Sequence, residues 1–307
     1  MSSDIPNGKI MNKTSKWSAN CTLAMLFIVL AVVGVQSGAW AGGTGAASDA
    51  GPRVQTREGD LEGLSLNGSQ MFMGIPYAAA PVGELRWRPP QAAPAWEGVL
   101  DTTENPSRCV QFPPLGDEPD GSEDCLYLNV WTPTGQAEQP RPVMVWIHGG
   151  GFTVGQGSYT NGDGRRLAAR AGVVVVTVNY RLGVFGFLPH RLLSAEDPAY
   201  PASGNYGIQD QTAALRWVRD NIAAFGGDPG NVTVFGQSAG AVSVCAQLVS
   251  PQAAGLFHRA IIQSGPCATP LSTTQAASVL GEQLAAGLGC ANGDDQLACM
   301  RSRDALE

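Results

Sequence analysis

Two short stretches of this chain have residue types and spacing suited to attack on a carbonyl carbon. Gly236-Gln237-Ser238-Ala239-Gly240 is a G-x-S-x-G pentapeptide. It sets a serine between an apolar run, Val232 to Phe235, and an Ala-rich stretch. That strand–turn–helix context is the one in which such a serine serves as a nucleophile. The sharp turn strains the serine backbone, and flanking glycines leave room for the turn to pack. The helix that follows directs its free N–H groups and positive dipole end at the reaction centre. The second stretch is His148-Gly149-Gly150-Gly151-Phe152, at the end of the run Val143 to Ile147. Attack on a carbonyl develops an oxyanion that needs preorganised N–H donors, and consecutive glycines present backbone amides without side-chain obstruction. Alone, the pentapeptide also fits a serine capping a helix, and the glycines also fit a tight turn. Together, in this order, they indicate acyl transfer through Ser238.

A serine hydroxyl is a weak nucleophile unless a base, itself oriented by an acid, takes its proton. The chain has 3 histidines. His148 belongs to the glycine loop, and His190 lies upstream in a Pro-containing loop. His258 follows Ser238 too closely, within Gly255-Leu256-Phe257-His258-Arg259-Ala260, and reads as a surface or packing residue. Asp210 reads as a structural hydrogen-bonding residue and Asp228 as a turn residue. No CxxC or Cys/His spacing suggests a metal. No cofactor is implied, because the serine and water supply the chemistry.

The elements that would position these groups alternate between strand and helix. Val54 to Tyr77 reads as strand, turn, strand, with turns at Glu58-Gly59-Asp60 and Asn67-Gly68. Residues 80 to 120 are punctuated by prolines and read as extended or loop. Leu126 to Trp131 alternates as a strand. Val143 to Ile147 and Gly172 to Val178 are continuous apolar runs, as in strands covered on both faces. Ala213, Leu215, Val218, Ile222 and Phe225 recur at helical spacing. Ala260 to Ile262 makes one more short strand. This order defines an α/β architecture, and nothing in it requires a second domain.

Hydrophobic residues make up 44% of the 307 positions and charged residues 15%, enough for a sizeable core. A net charge of −7 argues against a nucleic-acid surface, which needs clustered Lys and Arg. Lys13 and Lys16 precede an apolar run from about Leu23 to Val35, and Ala39-Trp40-Ala41 has the small-x-small form of a signal-peptidase site. Residues 1–41 therefore read as a secretory signal, with Met11 an alternative start. The run is short for spanning a bilayer, which takes about 20 apolar residues, so no stable membrane insertion is expected after cleavage. Residues 42–52 read as a flexible mature N-terminus and 53–307 as the folded part, exported to a periplasm or outside the cell. Export makes cysteines candidates for disulfides. Cys109 and Cys125 bracket one polar loop, Cys290 and Cys299 another, and these are paired as two local bridges. Cys245 and Cys267 lie in apolar settings and read as buried free thiols.

Several further blocks carry a family resemblance. They are Phe72-Met73-Gly74-Ile75-Pro76-Tyr77-Ala78, Leu85-Arg86-Trp87, Ser122-Glu123-Asp124-Cys125-Leu126-Tyr127-Leu128-Asn129-Val130, Asn179-Tyr180-Arg181-Leu182-Gly183 and Gly204-Asn205-Tyr206-Gly207-Ile208-Gln209-Asp210-Gln211. With the two catalytic stretches, they make the chain resemble the type B carboxylesterases from about Val54 to Arg301. That family includes bacterial and mammalian liver-type carboxylesterases and the cholinesterases. The resemblance implies an α/β-hydrolase fold, with a mostly parallel central sheet after an N-terminal antiparallel hairpin, incomplete at the C-terminus. It implies acylation of Ser238 and an oxyanion hole made by the N–H groups of Gly150, Gly151 and Ala239. It supports the Cys109–Cys125 and Cys290–Cys299 bridges, and it implies a buried Arg86–Glu123 ion pair that fixes the first bridged loop. The triad acid and histidine would lie beyond residue 307, as would an acidic partner for Arg181, so the chain alone is expected to be inactive. Gln237 stands where cholinesterases carry an acidic residue, and the Cys109–Cys125 loop is short. Both departures favour a neutral small-molecule carboxylic ester over a choline ester.

Overall fold

A computed structural model describes residues 51–112, 118–135, 137–158, 163–198, 200–268, 274–291 and 295–306. The expected signal segment and nearly all of the expected flexible N-terminus lie outside the described residues. Gly51 and Pro52 are tied in: the Gly51 N–H donates to Glu62 Oε1, and the Pro52 carbonyl accepts from the Gly63 N–H.

The N-terminal part supplies short strands β1 (Arg53–Gln55), β2 (Asp60–Glu62) and β3 (Leu64–Leu66), then the longer β4 (Ser69–Pro76) and β5 (Val99–Asp101). Next come β6 (Tyr127–Pro133), β7 (Arg141–Ile147), α1 (Arg165–Ala171), β8 (Val174–Val178), α2 (Gly183–Phe187) and α3 (Arg191–Glu196). The last part holds α4 (Tyr206–Asn221), β9 (Gly227–Gln237), α5 (Ala239–Val249), β10 (Arg259–Gln263), α6 (Thr274–Gly287) and α7 (Gln296–Arg301). Among the described residues, no helix is long and apolar enough to cross a membrane.

Strands β1, β2 and β5 form a small sheet, and the main sheet runs β10-β9-β7-β8-β6-β4-β3. Its first four strands are parallel; β6, β4 and β3 join antiparallel, with β3 and β4 forming the expected hairpin around Asn67-Gly68. The parallel block needs helical crossovers, and the polar-poor runs Val143 to Ile147 and Val174 to Val178 lie in it. All five residues of β8 are buried. The core joins Val145, Ile147, Val176, Val178 and Val234 to Leu215, Val218 and Val244 of the covering helices. Burying a side chain of this size contributes about 1.5–3 kcal/mol relative to leaving it in water. Boundaries shift where local geometry decides. Gly172, read with the strand, is the left-handed C-cap of α1 (φ 67°). Strand β9 begins at Gly227 rather than at Val232, because Gly227 already pairs with Arg141.

Cysteine pairing corrects one expectation. Cys109–Cys125 and Cys290–Cys299 are disulfides, but so is Cys245–Cys267, with a Cα–Cα distance of 5.3 Å. These two cysteines are not free thiols. Their apolar flanks signal burial of Cys245 (7% exposed), yet they carry no information on the chain reversal that brings Cys267 to it. Arg181 has an acidic partner within this chain that sequence reading did not pair with it: its Nε and Nη2 donate to Asp210 at 2.8 and 2.7 Å. Asp210 is fully buried and also accepts from the Arg181 N–H, while Arg181 Nη1 is buried without a partner.

Candidate active site

The sheet brings the two chemical stretches together because β7 and β9 are parallel neighbours. Ile147 lies opposite Gly236, so the His148 loop and the Ser238 turn leave the same end of adjacent strands. Ser238 joins β9 to α5 with φ 55° and ψ −122°. For a non-glycine residue such backbone costs about 1–3 kcal/mol and persists only where the surroundings over-determine it. The Ser238 N–H donates to the Gln263 carbonyl at 2.9 Å, and the Ser238 carbonyl accepts from Ala241 and Val242 at 2.9 and 3.1 Å. Although Ser238 is the N-cap of α5, its hydroxyl makes no capping hydrogen bond. The helix-capping alternative therefore fails, and the hydroxyl is left for other chemistry.

Close approach explains the glycines on both sides. A Cβ at Gly240 would meet the Ile147 carbonyl at 2.1 Å, so only glycine lets α5 start against β7. A Cβ at Gly149 would meet the Gln237 carbonyl at 2.7 Å and Ser238 Cβ at 3.2 Å, which sets the glycine loop directly beside the serine. The Gly150 carbonyl is turned away into a tight turn, accepting from the Thr153 and Val154 N–H groups at 3.0 Å. Among the described residues, the N–H groups of Gly150, Gly151 and Ala239 enter no backbone hydrogen bond. Ala239 is the first residue of α5, so its N–H is one of the donors that a helix start leaves unpaired.

His148 underpins this loop. It is buried, stacks on Tyr180 with ring centroids 4.3 Å apart, and its carbonyl accepts from Tyr180 Oη at 2.8 Å. Its Nδ1 donates to the Gly149 carbonyl at 2.8 Å, which selects the Nδ1–H tautomer and leaves Nε2 a buried atom without a partner. Burial pushes its pKa down to about 4, against the opposing pull of the Gly149 hydrogen bond. Gln111 braces the loop from outside, exchanging two hydrogen bonds of 2.8–2.9 Å with Gly155 while also donating to the Cys109 carbonyl. Residues Tyr180, Gln111 and Gln263 were not singled out individually by sequence reasoning, and their roles depend on contacts between distant segments.

The other two histidines are spent elsewhere. His190 Nδ1 accepts from the Leu192 N–H and caps α3, and His258 Nδ1 accepts from the Val232 N–H. Among the described residues, no histidine accepts a hydrogen bond from the Ser238 hydroxyl. Asp228 accepts from the Gly230 N–H in its turn. No group of three or more His, Cys, Asp or Glu among the described residues is arranged to hold a metal ion.

Residues 50–307 match the Carboxylesterase family. The chain belongs to that family. It is 48% identical over 260 residues to the para-nitrobenzyl esterase of Bacillus subtilis (strain 168), covering 83% of this chain and 52% of the relative. It is 45% identical over 236 residues to the fumonisin B1 esterase of Sphingopyxis macrogoltabida, covering 76% and 43%. The acetylcholinesterase of Gallus gallus is 43% identical over 280 residues, covering 83% and 35%. Among solved structures, a PNB esterase superposes with a TM-score of 0.74 at 48% identity, covering 82% of this chain and 51% of the other. A Geobacillus stearothermophilus carboxylesterase does so at 0.74 and 45% identity, with the same coverage. The chain thus spans about half the length of the relatives it matches, and its fold is the α/β-hydrolase fold of those carboxylesterases.

Within this carboxylesterase chain, Arg86 and Glu123 form the ion pair that the family resemblance implies. Two hydrogen bonds of 2.7 and 2.5 Å join side chains only 7% and 11% exposed. Arg86 Nη1 also donates to the Met300 and Arg303 carbonyls, so the Cys109–Cys125 loop and the end of α7 meet on one guanidinium.

Proposed function

We propose that this chain carries the nucleophile and the oxyanion donors of a serine carboxylic ester hydrolase. Ser238 Oγ attacks the carbonyl carbon of the ester, and the developing oxyanion is received by the N–H groups of Gly150, Gly151 and Ala239. Collapse of the tetrahedral intermediate expels the alcohol and leaves acyl-Ser238, which water then hydrolyses to the acid. The observation that carries this reading is the Ser238 turn: strained backbone, a hydroxyl not used for capping, and Gly149 packed against its Cβ.

The base and its acid are assigned to residues beyond position 307, since all three histidines here have other partners. The substrate class is a neutral small-molecule carboxylic ester. Gln237 contributes no negative charge beside Ser238 to attract a quaternary ammonium, which such sites recognise by negative and aromatic surroundings. Residues 1–41 act as an export signal cleaved after Ala41, residues 42–52 form the mature N-terminus, and the esterase domain follows in a periplasm or outside the cell. Three disulfides in one domain fit an oxidising compartment.

The test compares the protein from its complete reading frame with the 307-residue chain, using a fluorophosphonate label and a short-chain aryl ester. The complete protein is expected to label at Ser238 and to turn over the ester, and both signals vanish in Ser238→Ala. The 307-residue chain is expected to hydrolyse the ester no faster than background. Serine-dependent turnover by that chain would overturn the assignment of the base, and a complete protein that neither labels nor turns over would overturn the esterase reading.

A further inference from the structure

The Ser238 turn is held on two sides. Toward β7 it abuts buried strand and the glycine loop. Toward β10 its amide relies on the Gln263 carbonyl, at the last residue of a strand that pairs only with β9 among the described residues. Just beyond, Ser264 holds φ 55°, and Gly265 packs so closely that a Cβ there would meet the Ser238 carbonyl at 2.6 Å. A strained serine persists only where its surroundings over-determine it.

We propose that the Cys245–Cys267 disulfide is a positioning device for Ser238. It closes a circuit from Ser238 through the first two turns of α5 to Cys245, across the bridge to Cys267, and back through Gly265 to the Gln263 carbonyl that receives the Ser238 N–H. Cys245 is buried on α5 and Cys267 lies just beyond β10, so the bridge ties together the two segments that flank Ser238. The other two bridges close loops remote from this circuit, around residues 109–125 and 290–299. The inference rests on Ser238 being the nucleophile for its catalytic meaning, but not for its structural content.

Hydrogen exchange on the protein from its complete reading frame tests it. In Cys245→Ala/Cys267→Ala, amides of residues 236–241 are expected to exchange about tenfold faster, with β7 and β8 amides unchanged. Cys245→Val/Cys267→Ala, which refills the volume without the cross-link, is expected to behave the same way. Removing the remote bridge in Cys290→Ala/Cys299→Ala leaves the 236–241 amides at their original rate. Fluorophosphonate labelling of Ser238 should slow in parallel with the loosened turn. Unchanged exchange at 236–241 overturns the proposal, as does an equal acceleration in β7 and β8, which would mean only global stabilisation. Restoration by the valine pair would assign the effect to packing and also overturn it. A protein that loosens as expected but never reacts with fluorophosphonate would instead refute Ser238 as nucleophile.

Discussion

Strands β8 and β10 are both five residues long, largely apolar, and parallel to a neighbour in the same sheet. Every residue of β8 is buried, whereas β10 leaves Arg259, Ile261, Ile262 and Gln263 exposed. The difference lies in what surrounds them. Among the described residues, β8 has β7 on one side and β6 on the other, and β10 has only β9. An apolar run therefore reports that a strand tolerates burial, while neighbours decide whether it receives it. Ser238 sits between the two situations, with the His148 loop on its interior flank and the Gln263 carbonyl on its outer one.

Three predictions test this contrast. The largest effect belongs to the interior. Asp210→Ala leaves the Arg181 guanidinium, 3% exposed, without its carboxylate. Stranding a buried charge costs about 3–5 kcal/mol, read as a lower urea midpoint at unchanged slope. Next is the His148 imidazole, whose folded pKa of about 4 lies below the ordinary histidine value of 6.5. Between those values the unfolded chain binds more protons than the folded one, so its contribution to stability is full above about pH 6.5 and falls toward pH 4. The loss is about 3 kcal/mol at most. His148→Gln should flatten that part of the stability–pH curve, and an unchanged slope would mean that His148 is not the group responsible. The smallest effect compares the two strands directly. Val176→Ala, at a fully buried β8 position, should cost about 2 kcal/mol. In the 307-residue chain, Ile261→Ala, 42% exposed on β10, should cost less than about 1 kcal/mol despite losing more carbon. Equal losses would show that the outer strand is as well covered as the inner one.

Legibility followed the same line. The G-x-S-x-G turn, the glycine loop and the strands that carry them could be read because each is a local pattern: a composition at a turn, or an unbroken apolar run. The Cys109–Cys125 and Cys290–Cys299 bridges were equally local, closing loops of 16 and 9 residues. Cys245–Cys267 was misread because its 22-residue separation spans the end of α5, a turn and the whole of β10. The Arg181–Asp210 pair was missed for the same reason, since two loops and two helices intervene before α4 brings the carboxylate back.

By itself the sequence determined which backbone segments could be buried, which turns demanded glycine, and which side chain could act as nucleophile. These follow from local sterics and hydrophobic periodicity, which need no knowledge of the neighbours. Tertiary structure alone decided what holds Ser238: the parallel pairing of β7 with β9, the Tyr180 and Gln111 braces, the Gln263 carbonyl, and the bridge behind it. Hydrogen bonds and disulfides act over a few ångströms, so their partners exist only after the chain has folded back on itself.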